Sequence, residues 1–125
     1  MNSKLGPWGE EKAAEFLQRN GYRILARNYR VQTGELDLVA ENESFLAFVE
    51  VKTRKNDRFA AARASVTPAK QRKLISAAEA WLLEFPTERQ PRFDVIEIYA
   101  PQGMTSHLIQ INHIENAFGL DETFA

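Results

Sequence analysis

The sequence contains no cysteine, which excludes disulfide bonds, thiolate nucleophiles and cysteine-liganded zinc. It also lacks any apolar run near the ~18 residues of a membrane-spanning helix, and its beginning has no continuous apolar stretch of the signal-peptide kind. No glycine-rich phosphate-binding loop is present either. From these absences we expect a cytoplasmic protein that does not associate with membranes.

The composition is that of an ordinary globular protein, with 44% hydrophobic and 26% charged residues in a chain of 125 residues. A chain of this length can bury roughly two thirds of its unfolded surface around one core. The sequence shows no internal repeat, low-complexity tract or interdomain linker. Residues 1–125 are therefore predicted to form a single domain.

The net charge of −1 conceals two basic segments. Residues 16–34 carry four arginines and no acid, and residues 52–73 carry eight cationic residues against one aspartate. The net charges of these segments are +4 and +7. A basic segment is either a solvated surface or a contact for an anionic partner such as nucleic acid, and charge alone leaves both interpretations open.

Apolar spacing changes along the chain between the two-residue period of strands and the 3.6-residue period of helices. The second helix has the clearest ends, with Thr67 as N-cap, Pro68 in the first turn and Pro86 as the stop. The order α-β-β-β-α-β-β predicts an α/β fold in which helices flank a mixed β-sheet. The predicted elements are a helix at 8–20, strands at 22–31, 34–40 and 45–53, a helix between Thr67 and Pro86, strands at 92–100 and 106–111, and a short helical end at 113–118.

Two carboxylates interrupt the apolar strands of the predicted hairpin GELDLVAENESFLAFVEVKTR, residues 34–54. If the loop ENES has an even length, Asp37 lies opposite Glu50 and Glu35 lies opposite Lys52. Like charges in such a pair cost up to ~1 kcal/mol, and more when buried, whereas a bound cation would make the pair favourable. Mg²⁺ usually takes one or two protein carboxylates, which predicts a Mg²⁺ site here, with Mn²⁺ as the alternative ion. A Glu35–Lys52 ion pair with Asp37 solvated explains the same pattern without a metal.

A third carboxylate, Glu10, lies on the apolar stripe of the first predicted helix, together with Ala13, Ala14 and Leu17. It should therefore point toward the core, where it could complete a metal site. The favourable effect of a carboxylate near a helix N-terminus explains the same position without any metal. The residue pattern leaves both interpretations open.

Several other conspicuous residues are predicted to be structural. Asp94 shares its strand face with apolar residues, so we expect it to have an inward partner such as Arg92. His107 and His113 are six residues apart, which matches no common zinc-ligand spacing.

Six segments of the chain carry a family resemblance: GPWGEEKAAEFLQRNGYRILARNYR, GELDLVA, FVEVKTR, AKQRKLISAAEAWL, RFDVIEI and HIENAF. Together they resemble the YraN family of small bacterial proteins, and the match runs nearly from end to end. The resemblance implies one domain with a restriction-endonuclease-like core, similar to archaeal Holliday junction resolvases. Asp37, Glu50 and Lys52 match the nuclease pattern in which an aspartate precedes Glu-x-Lys. Glu10 matches the first-helix glutamate of the resolvase-like branch.

This resemblance implies a metal-dependent nuclease that hydrolyses phosphodiester bonds in DNA, with branched or otherwise structured DNA as the expected substrate. Mg²⁺ held by Asp37, Glu50 and Glu10 would activate a water, while Lys52 would orient that water or offset developing charge. Cutting a four-way junction needs two sites, so a homodimer is one arrangement to consider. The alternative is a non-catalytic nucleic-acid-binding or protein-interaction module that retains the fold.

The second basic segment supplies the expected contacts to nucleic acid. For two of these residues a structural alternative exists: Lys70 could extend its charge to solvent, and Gln71 could cap the helix. The residues expected to contact nucleic acid are Arg54, Lys70, Gln71, Arg72 and Lys73.

Overall fold

The computed structural model describes residues 4–55 and 66–118 of the protein. The elements follow the predicted order α-β-β-β-α-β-β, with a short 3₁₀ helix before the last strand. No helix within these residues is long and apolar enough to cross a membrane. The elements are α1 (Leu5–Arg19), β1 (Arg23–Val31), β2 (Gly34–Glu41), β3 (Phe45–Arg54), α2 (Pro68–Glu84), β4 (Gln90–Tyr99), the 3₁₀ helix (Gly103–Thr105) and β5 (Gln110–Phe118).

The five strands form one mixed sheet in the order β1-β2-β3-β4-β5. β1, β2 and β3 are antiparallel neighbours, β4 lies parallel to β3 after the α2 connection, and β5 returns antiparallel at the edge. The predicted hairpin register is confirmed where β2 and β3 pair, because Val39 lies opposite Phe48. β3 lies at the centre of the sheet, as its apolar sequence predicts.

Each helix covers one face of the sheet through its own apolar cluster. α2 places Leu74 and Trp81 in the first cluster, together with Phe48 of β3. α1 places Ala13 and Leu17 in the second cluster, on the opposite face. Fully burying a large apolar side chain contributes about 1.5–3 kcal/mol, so the predicted apolar stripes account for the docking of both helices.

The ends of α2 follow from its sequence. The Thr67 hydroxyl accepts a hydrogen bond from the Lys70 amide at 3.2 Å, and Pro68 is the first helical residue. The helix ends at Glu84, two residues before Pro86. The predicted N-cap and the predicted stop are both confirmed.

The predicted start of α1 is wrong by three residues, with a consequence for Glu10. The helix begins at Leu5 rather than at residue 8, so Glu10 lies beyond the first helical turn. The favourable field of a helix N-terminus falls off within that turn. The helix terminus therefore does not account for this carboxylate.

The predicted last strand is present but displaced along the chain, because β5 runs from Gln110 to Phe118 rather than over residues 106–111. The predicted helix at 113–118 is wrong, since those residues belong to this strand. Long-range contacts override the local pattern here: β5 pairs with β4, and the Phe118 ring stacks on Phe93 with centroids 4.7 Å apart. Asn116 accommodates a register shift in this pairing with a positive φ of 53°, a conformation that asparagine adopts more readily than most residues.

The buried carboxylate of Asp94 joins β4 to β5. Its oxygens accept hydrogen bonds from Arg92 Nε and Nη2 at 2.8 Å and from the Asn116 amide at 3.0 Å, and one lies 2.8 Å from His113 Nε2. Burial works against the charged form, but the hydrogen bonds from His113, Arg92 and the Asn116 amide lower the pKa of Asp94. The predicted Arg92 partnership is confirmed, and His113 belongs to the same cluster.

Candidate functional site

The candidate site begins where β2 and β3 stop pairing. In the described residues of these strands, backbone pairing ends at Leu38 and Val49, so the predicted backbone pair of Asp37 and Glu50 does not form. Instead, the Val51 amide donates a hydrogen bond to Asp37 Oδ2 at 2.8 Å. The Asp37 carboxylate thus accepts a hydrogen bond from a β3 amide that has no backbone partner in β2. This bond connects the two strands just beyond their last backbone pair.

β2 also changes the direction of its side chains at Asp37. Leu36 packs in the cluster beneath α2, whereas Leu38 packs in the cluster beneath α1. Residues two apart on a regular strand share one face of the sheet, so the regular alternation of β2 is interrupted at Asp37.

α1 brings Glu10 to this position because Gly9 allows the helix to lie close to β3. A Cβ on Gly9 would meet Thr53 Oγ1 at 1.9 Å, so any side chain there would displace the Thr53 side chain or the helix. Glu10 then lies close enough to Asn28 and Asp37 for both to influence its pKa. Asp37 is likewise close enough to Glu50 for that carboxylate to influence its pKa, so the three predicted carboxylates are neighbours.

This crowding changes the protonation of Asp37. Burial raises the pKa of Asp37 to about 7, and the negative charges of Glu50 and Glu10 add to the rise, whereas the hydrogen bond from the Val51 amide opposes it. Burial also raises the pKa of Glu10, with contributions from the charges of Glu35 and Glu50, against the lowering effect of hydrogen bonds to Asn28 and Asp37. The site therefore resists full ionisation unless a cation compensates it.

Glu50 has a different environment, because two ammonium groups approach one of its oxygens. Lys52 Nζ lies 3.2 Å and Lys70 Nζ lies 3.4 Å from Glu50 Oε2. The Glu50 side chain is almost fully buried at 5% exposure, which strengthens both attractions relative to surface ion pairs. The alternative Glu35–Lys52 ion pair is not formed, since Lys52 pairs with Glu50 and Glu35 pairs with Arg30.

The carboxylates of Asp37 and Glu50 are oxygen donors of the kind that suits a hard divalent cation such as Mg²⁺. Among residues 4–55 and 66–118, no group of three or more histidine, aspartate or glutamate side chains has a metal-binding arrangement. Asp37, Glu50 and Glu10 thus lie close together without a three-carboxylate metal-binding arrangement in these residues. Asp37 and Glu50 alone meet the requirement of Mg²⁺, which commonly takes one or two protein carboxylates and fills its other positions with water or phosphate oxygens. Glu10 contacts this pair through Asp37.

The residues predicted to contact nucleic acid have different surroundings. Arg54 Nε lies 3.2 Å from the buried Glu97 Oε2, and Lys70 reaches Glu50. Gln71 Nε2 donates a hydrogen bond to the Val66 carbonyl at 2.9 Å, which ties its side chain to the residue before the N-cap Thr67. Arg72 and Lys73 are exposed on α2. Two further arginines of the basic segment, Arg58 and Arg63, lie outside the described residues.

The first basic segment is largely neutralised by acids from elsewhere in the chain. Three of its four arginines form ion pairs, each with a glutamate outside residues 16–34. These glutamates cancel most of the formal charge of +4 of the first segment. The second basic segment is therefore the better candidate for a surface that binds an anionic partner. The pairs are Arg23 with Glu41, Arg27 with Glu11, and Arg30 with Glu35.

Sequence reasoning missed two residues of the site. Asn28 contacts Glu10 from β1 and has a positive φ of 52°, but nothing in the apolar pattern marks an asparagine within a strand as special. Glu97 is only 3% exposed and lies opposite Lys52 across the parallel β3–β4 pairing. The alternation of RFDVIEIYA could have revealed it, because Glu97 shares the inward face of Phe93 and Val95.

All residues of the candidate site lie within the length of chain that matches a known protein family. A profile of the uncharacterised protein family UPF0102 matches residues 9–98. A UPF0102 protein of Syntrophomonas wolfei is 45% identical over 119 residues, covering 94% of this chain and 100% of the relative. A UPF0102 protein of Pelobacter propionicus is 46% identical over 122 residues, covering 95% and 85%. A third, from Chlorobium chlorochromatii, is 42% identical over 121 residues, covering 95% and 94%.

Proposed function

The chain belongs to the UPF0102 family, in agreement with its resemblance to the YraN proteins, and we propose that it is a divalent-metal-dependent nuclease that hydrolyses phosphodiester bonds in DNA. The observation that carries this proposal is the contact of Asp37 with both Glu10 and Glu50 at the end of the β2–β3 ladder. A purely structural site would avoid such crowding, since each carboxylate disfavours ionisation of the others.

Asp37 and Glu50 would hold the metal, and the main-chain carbonyl of Val51 would be a further oxygen ligand. When bound, Mg²⁺ or Mn²⁺ would supply Lewis acidity toward a phosphate oxygen and lower the pKa of a bound water. The Val51 amide keeps Asp37 Oδ2 in place, so the carboxylate is oriented before any cation arrives. Glu10 would position Asp37, its neighbour in the cluster, and Asn28 would orient Glu10 in the same way.

Lys52 is the residue we assign to the reacting phosphate. Its ammonium lies 3.2 Å from Glu50 Oε2 and is partly exposed, so it can remain near the cluster while facing incoming substrate. A positive charge held there would offset the negative charge that develops on phosphate oxygens as the bond to the leaving group breaks. Lys70 and Arg54, each anchored on a buried glutamate, would contact flanking phosphates.

One observation favours a second candidate function, a DNA-binding module without turnover. Glu50 is already compensated by two ammonium groups in the structure, so its burial does not require a metal. A DNA-binding module would use the same basic surface as the nuclease, but it would not need a metal cation to function.

Cleavage assays distinguish the two functions. We would incubate the purified protein with Mg²⁺ or Mn²⁺ and a panel of linear, flapped and four-way DNA, with EDTA as the metal-free control. The nuclease proposal expects cleavage that is lost in Asp37→Asn and in Glu50→Gln, and retained in Glu43→Gln, which removes an exposed carboxylate from the distant β2–β3 loop. DNA binding without cleavage of any substrate, under either metal, would favour the binding module.

A further inference from the structure

A groove with a volume of about 570 Å³ lies between the β1–β2 turn and the first turns of α2. Gln32 and Thr33 line it from the turn, and Lys70 and Lys73 line it from the helix. Arg30 and Glu35 also line it. None of the residues described along this groove is aromatic.

The two walls of the groove are held against each other. A Cβ on Gly34 would meet the Lys73 carbonyl oxygen at 1.9 Å, so the turn approaches the α2 backbone as closely as only glycine allows. The hydroxyl of Thr33 also contacts the hydroxyl of Ser76. The groove is therefore a feature of the packed fold, rather than a gap beside a free loop.

Two contacts join the groove to the carboxylate cluster. Lys70 lines the groove, and its ammonium lies 3.4 Å from Glu50 Oε2. Glu35 also lines the groove, and it is near enough to Glu10 for its charge to raise the Glu10 pKa. A chain bound in the groove would thus enter the candidate active site at Lys70.

The charges of the groove differ in their availability. Arg30 is held by Glu35, with its Nε and Nη2 atoms 3.0 and 2.7 Å from Glu35 Oε2. Lys70 is partly compensated by Glu50. Within residues 4–55 and 66–118, Lys73 forms no ion pair. Lys73 is therefore the cation most free to bind an anion in the groove.

We propose that this groove binds the phosphate backbone of one unpaired DNA strand, next to the phosphate that is cut. The inference rests on the proposed nuclease function and adds a substrate feature to it. A volume of this size is typical of sites for small ligands, which lie between about 300 and 1,000 Å³, so it accommodates a nucleotide-sized segment of one strand. Without an aromatic platform for base stacking, the strand is bound through its phosphates and without base preference.

Fluorescence anisotropy in EDTA tests the groove separately from cleavage. The labelled probes are a single-stranded oligonucleotide, a flapped duplex and a blunt duplex that contain the same sequence. Lys73→Ala should weaken binding of the single strand and the flap by about tenfold, the loss expected of one charge-assisted hydrogen bond. It should also reduce the salt-dependence slope for the single strand by about 0.7, the contribution of one phosphate.

Matched variants make the result specific to the groove. Arg72→Ala removes a cation from the same helix but outside the groove lining, so it should weaken single-strand binding less than Lys73→Ala. Gln32→Glu places a negative charge in the groove and should weaken binding, whereas Gln18→Glu, on the exposed side of α1, should not. Thermal melts verify that each variant is folded.

Equal losses for Lys73→Ala and Arg72→Ala, or unchanged binding in Gln32→Glu, would overturn the groove as the strand site. Tighter binding of the blunt duplex than of the flap would overturn it too. These outcomes leave the nuclease proposal intact, because they are measured without metal. Conversely, if the protein cuts no DNA but binds the flap through Lys73, the proposed strand site stands and the proposed nuclease function falls.

Discussion

The Val51 amide and the Asp37 carboxylate form a 2.8 Å hydrogen bond at the point where the β2–β3 ladder ends. The same carboxylate contacts Glu10 and Glu50, so one side chain both completes the backbone pairing and belongs to the candidate metal site. An asparagine could still accept the Val51 hydrogen bond but would not carry the charge. Structural and electrostatic roles of Asp37 can therefore be separated by substitution.

Asp37→Asn should stabilise the metal-free protein at pH 8 and have little effect near pH 4. The pKa of Asp37 is raised from 3.8 to about 7, so between these values the folded state keeps a proton that the unfolded state has lost. The contribution of Asp37 to the free energy of unfolding of the wild type therefore falls as the pH rises from 3.8 to about 7. Above about pH 7 the full cost of burying the charged carboxylate is present. Allowing for partial exposure, we expect a gain of about 1–3 kcal/mol at pH 8.

Urea unfolding at a series of pH values in EDTA measures this difference. Glu43→Gln is the control for general loss of negative charge, and its stability relative to wild type should show no comparable rise between pH 4 and 7. A constant difference between Asp37→Asn and wild type across the whole range would mean that Asp37 is not protonated in the folded protein.

Glu10→Gln should stabilise the metal-free protein while lowering metal-dependent cleavage by about 10–100-fold, as expected for a residue that orients a metal ligand. The pKa of Glu10 is raised chiefly by burial, so removing its charge relieves an unfavourable state at neutral pH. Thermal melts in EDTA and in Mg²⁺, together with cleavage rates, measure both effects. A mutant that melts below wild type in EDTA would argue against Glu10 as a member of the cluster.

The fold was largely predictable because its signals are local. Alternation along β2 and β3 and the tight turn between Glu41 and Phe45 determine the register, and Thr67 with Pro68 determines the start of α2. The predicted helix at 113–118 was wrong because β5 depends on distant partners, above all on Asp94 of β4.

The site was predictable in its residues but not in its geometry. Periodicity aligns Asp37 with Glu50, yet it cannot show that the ladder ends one pair earlier, or that the Asp37 side chain takes the Val51 amide instead. The same limit applies to Asn28, whose positive φ depends on contacts that no local pattern records. Glu97 is a different case from Asn28, because the alternation of residues along β4 is enough to predict that its side chain points inward.

A calorimetric titration with Mn²⁺ tests the proposed metal ligands directly. The double variant Asp37→Ala, Glu50→Ala should lower Mn²⁺ affinity at least tenfold, because it removes both carboxylates that the site offers. Wild-type affinity should rise with pH up to about 7, since Asp37 must lose its proton to bind a cation. Binding that persists unchanged in the double variant would locate the metal elsewhere.

Lys70→Met should raise metal affinity and lower DNA affinity, two effects of opposite sign from one substitution. The Lys70 ammonium lies 3.4 Å from Glu50 Oε2 and so competes with any cation for that oxygen. An exposed ion pair is worth about 0.2–1 kcal/mol, and the burial of Glu50 strengthens this one, so its removal should tighten Mn²⁺ binding by about fivefold or more. The same lysine lines the proposed strand groove, and single-strand affinity should fall by about tenfold.

Lys73→Met is the matched control for this last prediction, because it removes a lysine from the same helix and groove without touching Glu50. It should lower single-strand affinity and leave Mn²⁺ affinity unchanged. Calorimetry for the metal and anisotropy for DNA provide the two readouts on the same preparations. If Lys70→Met weakened Mn²⁺ binding, Lys70 would hold Glu50 in position rather than compete with the metal for its oxygen. Replacement of the Lys70 ammonium by a metal ion at Glu50 would then be excluded.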